Sequence, residues 1–218
     1  MFPTLIFVVA IVGAVIAIGA LNFWLAKQRR EALAAVAAGL GMTFAPKGEG
    51  ALDDGLAALP VFQRGHGRKA VNALSGQIED VQARILDYFY ITFHGTGQMP
   101  HTQTITAFGL GNAPLPAFTL GPKGALHFLA NLVSGRDIEF KAHAEFARHY
   151  CLRGPEEAAI RTLFDDKVLT FLDANPGWSV EAAGRWLVVY KPNRKVKPQE
   201  VAGFLEKVFE VFNKFGQA

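Results

Sequence analysis

Residues 5–30 read LIFVVAIVGAVIAIGALNFWLAKQRR, and this stretch decides how the chain is organised. The part up to Ala26 contains no Lys, Arg, Asp or Glu, whereas Lys27, Arg29 and Arg30 follow it at once. An α-helix rises 1.5 Å per residue, so about 20 apolar residues cover the roughly 30 Å hydrocarbon core of a bilayer. The sequence therefore predicts an N-terminal transmembrane helix.

This predicted span has the features of a permanent anchor. A cleaved secretory signal has a basic start, an apolar core of about 7–15 residues and a small-residue cleavage site. Here no basic residue precedes the span, and Phe23-Trp24-Leu25 stands where such a site would be. Basic residues beside a span stay in the cytoplasm. Because all of them follow the span, we expect the N-terminus outside and the C-terminal domain in the cytoplasm.

Three segments follow from this anchor: a transmembrane anchor over residues 1–26, a juxtamembrane helix over 27–41 and a soluble domain over 42–218. The chain carries a formal net charge of +3, a mild excess that does not indicate nucleic-acid binding. Its single cysteine, Cys151, forms no internal disulfide, which fits a reducing compartment.

The soluble segment reads as a mixture of strands and helices. Aromatic and β-branched residues over 81–93 and 102–108 predict an antiparallel hairpin with a loop over 95–100, and a second hairpin is expected over 178–190. A short strand over 117–120 is predicted at a sheet edge because prolines flank it. Further helices are predicted over 53–59, over 156–172 and from Pro198 onward; their sequences are DDGLAAL, EEAAIRTLFDDKVLTFL and PQEVAGFLEKVFEVFNKF.

The order of these elements also resembles a family. After the span come the Asp87-Tyr88 strand, the glycine-bearing hairpin loop and Pro116-Ala117-Phe118, followed by Pro176-Gly177-Trp178 and a Phe-rich closing helix. The chain resembles a group of bacterial single-pass membrane-anchored proteins with no assigned activity. The resemblance implies a bacterial source and transfers no activity. Together with the cytoplasmic orientation expected from the basic residues after the span, it places the chain in the inner (cytoplasmic) membrane as an expectation. The fold class expected overall is α+β: an N-terminal transmembrane helix followed by a mainly antiparallel sheet packed by helices.

The residues that could act in catalysis or bind a metal form no known catalytic motif. His94 and His101 bracket the first hairpin loop as a polar cluster, but two histidines are fewer ligands than a zinc site needs. His149 and Cys151 would share a face only on a strand, and an inert buried cysteine is the favoured interpretation. Nucleotide and nucleophile-elbow motifs are absent from the sequence. We therefore assign no catalytic residue, metal ligand or cofactor.

Basic residues and small residues suggest two contact surfaces. Anionic lipid headgroups attract basic residues near the bilayer, and the candidates are Lys27, Arg29, Arg30, Arg64, Arg68 and Lys69. Arg64, Arg68 and Lys69 are assigned to a glycine-rich loop. In the span, Gly13-x-x-x-Ala17 is a small-xxx-small pattern that permits close helix packing.

The function that these features favour is that of a membrane-tethered cytoplasmic protein that binds a partner or organises a complex without catalysis. Its expected partners are the lipid bilayer and either another protein or a second copy, with no nucleic acid. The alternative is a membrane-surface enzyme acting on a lipid or envelope precursor. That alternative requires His94, His101 and a carboxylate such as Asp87 to converge on one pocket.

Overall fold

A single long helix opens the chain in the computed structural model, which describes residues 2–95, 97–111, 114–126 and 137–216. Helix α1, Phe2–Gly39, runs through the predicted span and the juxtamembrane segment without a break. It ends where Gly41 adopts a φ of 67° and the N–H of Met42 donates to Ala37 at 2.8 Å. Among the described residues it is the one helix long and apolar enough to cross a membrane.

Eight strands follow in the described ranges and form one sheet in which every neighbouring pair is antiparallel. Their bounds are β1 Thr43–Ala45, β2 His66–Ile78, β3 Val81–His94, β4 Gly97–Gly109, β5 Phe118–Pro122, β6 Tyr150–Arg153, β7 Ser179–Ala183 and β8 Trp186–Tyr190. The strand order is β1-β2-β3-β4-β8-β7-β5-β6. This confirms the predicted α+β class with an N-terminal helix and an antiparallel sheet.

The remaining helices are short, apart from the last one. They are α2 Asp54–Ala57, α3 Pro60–Gln63, α4 Lys123–Leu126, α5 Ala144–His149, α6 Glu157–Leu163, α7 Asp166–Ala174 and α8 Val201–Gly216, with a 3₁₀ turn at Pro198–Glu200 before α8. Helix α8 buries an apolar stripe that includes Val208, Val211 and Phe215. That stripe packs into the main core, as its 3.6-residue period predicts.

The two faces of the sheet carry different cores, because successive strand residues point to opposite sides. On β3, Ala83 and Ile85 belong to the main core, together with Leu33 and Ala37 of α1 and the helices α6 to α8. Leu86, Tyr88 and Tyr90 belong to a smaller core under α2 and α3. We call these the α1 face and the α3 face.

Several predicted elements differ in their details. The predicted helix over 156–172 is two helices, because the side chain of Asp165 accepts from the N–H groups of Lys167 and Val168 and caps a new helix. Strand β5 lies between β7 and β6 rather than at an edge. Pro122 is its last residue, so a proline interrupts no ladder inside the strand.

The segment around Arg68 also differs from its prediction. Residues 66–69, expected in a loop, begin the long strand β2, where His66 pairs with Ile91 and Lys69 with Phe89. Strand β4 begins at Gly97, so the predicted loop over 95–100 is much shorter than expected. As a result β3 and β4 form a long hairpin that extends beyond the rest of the sheet.

Candidate functional site

A buried carboxylate joins helix α1 to the sheet. Asp87 is 4% exposed on the α1 face of β3, and Arg29 donates to it from both ends of its guanidinium fork. Nε lies 2.8 Å from Oδ2, and Nη2 lies 2.7 Å from Oδ1. Such bidentate, charge-assisted pairs fix geometry as well as adding binding energy. We call this contact the anchor junction.

Two further donors complete the anchor junction. Asn72 Nδ2 donates to Asp87 Oδ2 at 2.9 Å, and Thr104 Oγ1 donates to Oδ1 at 3.0 Å. Asn72 reaches the carboxylate from an irregularity in β2, where its φ is 54° and the register shifts between Val71 and Leu74. Four donors therefore converge on two oxygens, and they come from α1, β2 and β4.

The connection between β8 and α8 closes over the junction. Thr104 Oγ1 accepts from the N–H of Val196 at 3.0 Å, and the N–H of Thr104 donates to the carbonyl of Arg194 at 3.0 Å. Lys195 Nζ lies 3.9 Å from Asp87 Oδ2. Burial lowers the pKa of Lys195, and the nearby Arg29 charge acts in the same direction while Asp87 opposes it. The junction therefore links five segments of the chain: α1, β2, β3, β4 and the connection between β8 and α8.

A second buried ion pair lies on the α3 face. The carboxylate of Glu181, which has no exposed surface, binds the guanidinium of Arg64. It also accepts from the N–H of Val61 at 2.7 Å and from the hydroxyl of Tyr190 at 2.7 Å. Burial raises the pKa of Tyr190 well above its ordinary value, so its hydroxyl keeps the proton that it donates. This cluster attaches helix α3 to the sheet.

His101 belongs to an aromatic layer on the α3 face. Its ring stacks on Tyr90 with centroids 4.6 Å apart, and its two nitrogens bond to Thr92 Oγ1 and Asn193 Oδ1, both at 2.8 Å. Asp87 lies on the opposite face of the same hairpin, one register position from Tyr88. The enzyme alternative requires His101 and Asp87 to converge on one pocket, and because they lie on opposite faces they do not.

The predicted membrane-surface residues have unlike surroundings. Arg64 is 4% exposed in its pair with Glu181 and Arg29 is engaged by Asp87, so these two guanidiniums are not available to lipid headgroups. Lys27 is exposed and pairs with Glu31 at 3.8 Å. Arg68 donates to the carbonyl of Phe62 at 3.2 Å at the surface.

The other predicted site residues are placed as follows. Lys69 is exposed, Arg30 is half-buried, and Gly13 and Ala17 are exposed on α1. The side chain of His94 lies outside the described part of the structure. One signal in the sequence could have indicated the buried pairs: Asp87 and Glu181 each stand as an isolated acidic residue inside an apolar strand.

Three clefts of similar size lie along α8. Their volumes are about 380, 360 and 340 Å³. The first is lined by Glu79, Asp80 and Phe212 and the second by Trp178 and Lys191, and no histidine or cysteine is among the described lining residues of the three. Within the described ranges, His, Cys, Asp and Glu form no group of three that could hold a metal ion.

Cys151 is held by a carboxylate rather than by a histidine. Its Sγ donates to Asp137 Oδ1 at 3.0 Å, whereas His143 bonds to Asp166 at 3.1 Å. Burial raises the pKa of Cys151 to about 11, and the Asp137 carboxylate acts in the same direction. The thiol is therefore protonated at neutral pH and is a poor nucleophile.

We expect alkylation of Cys151 by iodoacetamide at pH 8 to be on the order of 100-fold slower in the folded chain than after unfolding in urea, because little thiolate is present. Mass spectrometry of quenched time points measures both rates. The rate in the folded chain should rise toward pH 11, and Asp137→Asn should raise it at pH 8. A fast reaction at pH 7 would contradict this assignment.

The fold is similar to that of a protein of known structure. The match is the crystal structure of the mycobacterial trehalose monomycolate transport factor A, TtfA, with a TM-score of 0.56 and 16% sequence identity. The alignment covers 88% of this chain and 93% of that chain. At this identity the likeness shows the fold alone. No protein-family model matches the sequence, and comparison with curated proteins gives no match.

Proposed function

We propose that this protein is a non-catalytic accessory protein that is tethered to the bacterial inner membrane and binds a membrane-embedded transporter. The observation that carries the proposal is the anchor junction. Because α1 is one continuous helix and Arg29 is fixed to Asp87, the span and the sheet move together. A partner that binds the span in the bilayer would thereby also position the soluble domain.

The two sides of α1 fit two different contacts, one with the soluble domain and one with a partner in the bilayer. At about 100° per residue, Gly13 lies about 160° around the helix axis from Arg29. Leu33 and Ala37, which pack into the main core, lie on the Arg29 side. The small-residue face of Gly13 and Ala17 therefore points away from the soluble domain and is open to a neighbouring helix in the bilayer.

The kind of partner is proposed from the fold comparison. TtfA is described as a transport factor, and this chain shares its fold over most of both lengths. A transport-associated role would need no catalytic group in the tethered domain. It would need a fixed spacing between a transporter and a soluble surface, which the anchor junction provides.

The orientation is part of the proposal. Lys27 and Arg30 follow the span and lie on the domain side of the bilayer, and basic residues at that position favour the cytoplasmic side. The N-terminus would then lie outside and the domain in the cytoplasm, where the single thiol of Cys151 stays reduced.

Photo-crosslinking within native membranes tests the proposal. A photoreactive phenylalanine analogue at Ala17 should form an adduct with a defined membrane protein. The matched control is the same analogue at Val15, which lies about 200° from Gly13 around α1 and should give several-fold less of that adduct. Equal adducts from both positions, or lipid adducts alone, would contradict partner binding through the small-residue face.

A further inference from the structure

We propose that the tip of the β3–β4 hairpin is a second membrane contact that enters the lipid interface beside α1. The tip comprises the described residues from Phe93 to Met99. This inference goes beyond the proposed function, since it concerns lipid and holds whether or not a protein partner binds the span.

The exposed apolar side chains identify the tip. In the part of the chain that the structure describes, the strongly exposed large apolar side chains lie on α1, at Leu40 directly after it, and at two other positions. Those two are Phe93, which is 62% exposed, and Met99, which is 42% exposed. Both belong to the hairpin tip, so among the described residues the strongly exposed large apolar side chains outside the anchor region are confined to one place.

The direction of α1 brings the tip to the membrane side. Leu40 lines a cleft with Ile78 at the end of β2, whereas Arg29 contacts Asp87 in the middle of β3. Moving along α1 toward the span therefore moves along β3 toward Phe93. The hairpin tip and the span extend from the same end of the sheet.

The lengths of these segments are compatible with contact. At about 3.3 Å per strand residue, Phe93 lies about 20 Å beyond Asp87. At 1.5 Å per helix residue, Trp24 lies only about 8 Å beyond Arg29. Trp24 marks the level at which aromatic side chains meet lipid headgroups. Because the hairpin extends farther beyond the junction than α1 does up to Trp24, the tip reaches the level of Trp24 even when the hairpin is inclined to α1.

The distribution of charged residues around the tip fits contact with a lipid bilayer. Between Asp87 and Lys123 the sequence has no Asp, Glu, Lys or Arg, so no formal charge has to leave water when the tip meets the interface. The exposed cation Lys69 lies opposite Phe89, closer to the sheet, where it would meet anionic headgroups. The expected ligand is thus a bilayer that contains anionic phospholipid.

The two strands of the hairpin stay paired close to the tip, which lowers the cost of entering a less polar environment. Thr92 pairs with Met99 and Phe93 with Gln98 across the hairpin, so the peptide groups that face the opposite strand of the hairpin have partners there. The ring of Phe93 stacks on His66 with centroids 5.0 Å apart, which fixes its orientation. The tip therefore presents Phe93 in a fixed orientation at the end of a paired hairpin.

Depth-dependent fluorescence quenching tests the inference. The full chain with Cys151→Ser and Met99→Cys is labelled with bimane and reconstituted into vesicles of phosphatidylcholine and phosphatidylglycerol. We expect a lipid-attached nitroxide to quench this label several-fold more than a label at Asp80→Cys, in the turn at the other end of β3. A water-soluble quencher should show the opposite order.

Adding Phe93→Glu to the labelled Met99→Cys chain should abolish most of the lipid quenching, because a carboxylate at the tip opposes insertion. Circular dichroism shows whether the fold is kept. Equal quenching at the two labelled positions would overturn the inference, as would unchanged quenching with Phe93→Glu. Protection of the tip in native membranes but not in these vesicles would also overturn it, in favour of a protein contact. The vesicles contain no partner, so failure here is separate from failure of the proposed function.

Discussion

Glu181→Ala is expected to lower the free energy of unfolding by about 3–5 kcal/mol, the range seen when one partner of a buried ion pair is removed. The carboxylate has no exposed surface and receives the N–H of Val61, the hydroxyl of Tyr190 and the guanidinium of Arg64. Without it, the guanidinium of Arg64, only 4% exposed, stays buried with no counter-charge.

Urea unfolding of the full chain in detergent, followed by the fluorescence of the buried Trp178 and Trp186, measures this loss. The matched control is Glu157→Ala, which removes an exposed pair with Arg161 on helix α6 and should cost at most about 0.5 kcal/mol. Similar losses for both variants would show that the pair is not the stabilising contact.

A double variant separates the cost of an orphaned charge from the value of the pair. Arg64→Met with Glu181→Leu removes both charges and keeps most of the volume. Replacing a whole buried pair by apolar side chains is often neutral or stabilising. We therefore expect the double variant to be more stable than Glu181→Ala. If it is equally unstable, the bonds to Val61 and Tyr190 matter more than the charge balance.

Local patterns in the sequence predicted the elements whose structure depends on neighbouring residues. The hairpins β3–β4 and β7–β8 follow from aromatic and β-branched runs on either side of glycine-bearing turns. Helix α8 follows from its apolar stripe. In each case the side-chain period that marks the element also produces its buried face.

The elements that the sequence did not predict depend on distant partners. The start of β2 is rich in glycine and basic residues, and it is a strand because His66 and Lys69 pair with β3. The anchor junction joins residues 29 and 87, and the second ion pair joins residues 64 and 181. A basic residue is expected at the surface when its acidic partner is not known, and the sequence alone therefore predicts Arg29 and Arg64 at the membrane surface.

The anchor junction leads to the second large prediction. Asp87→Ala should lower the free energy of unfolding by about 3 kcal/mol, because Arg29, Asn72 and Thr104 lose their shared acceptor. The control is Glu31→Ala, which breaks the exposed pair with Lys27 and should have an effect below about 0.5 kcal/mol. Unfolding in detergent compares the two, and equal effects would contradict the assigned role.

Asp87→Asn tests the coupling of span and sheet more selectively than Asp87→Ala. The amide has nearly the same shape, but it offers one oxygen where four donors now share two, so its NH₂ group must face a donor. The side of the carboxylate that becomes NH₂ loses its bond to Arg29, whereas Leu33 and Ala37 still pack in the core. We therefore expect a folded domain with a loosened α1, seen as a broader distance distribution between spin labels at Lys27→Cys and Asp80→Cys in a Cys151→Ser background.

If the span positions the domain for a transporter, Asp87→Asn should keep the crosslink from Ala17, since that face is in the bilayer, and lose crosslinks from the soluble domain to the same partner. Loss of both, or of neither, would show that the anchor junction does not couple them.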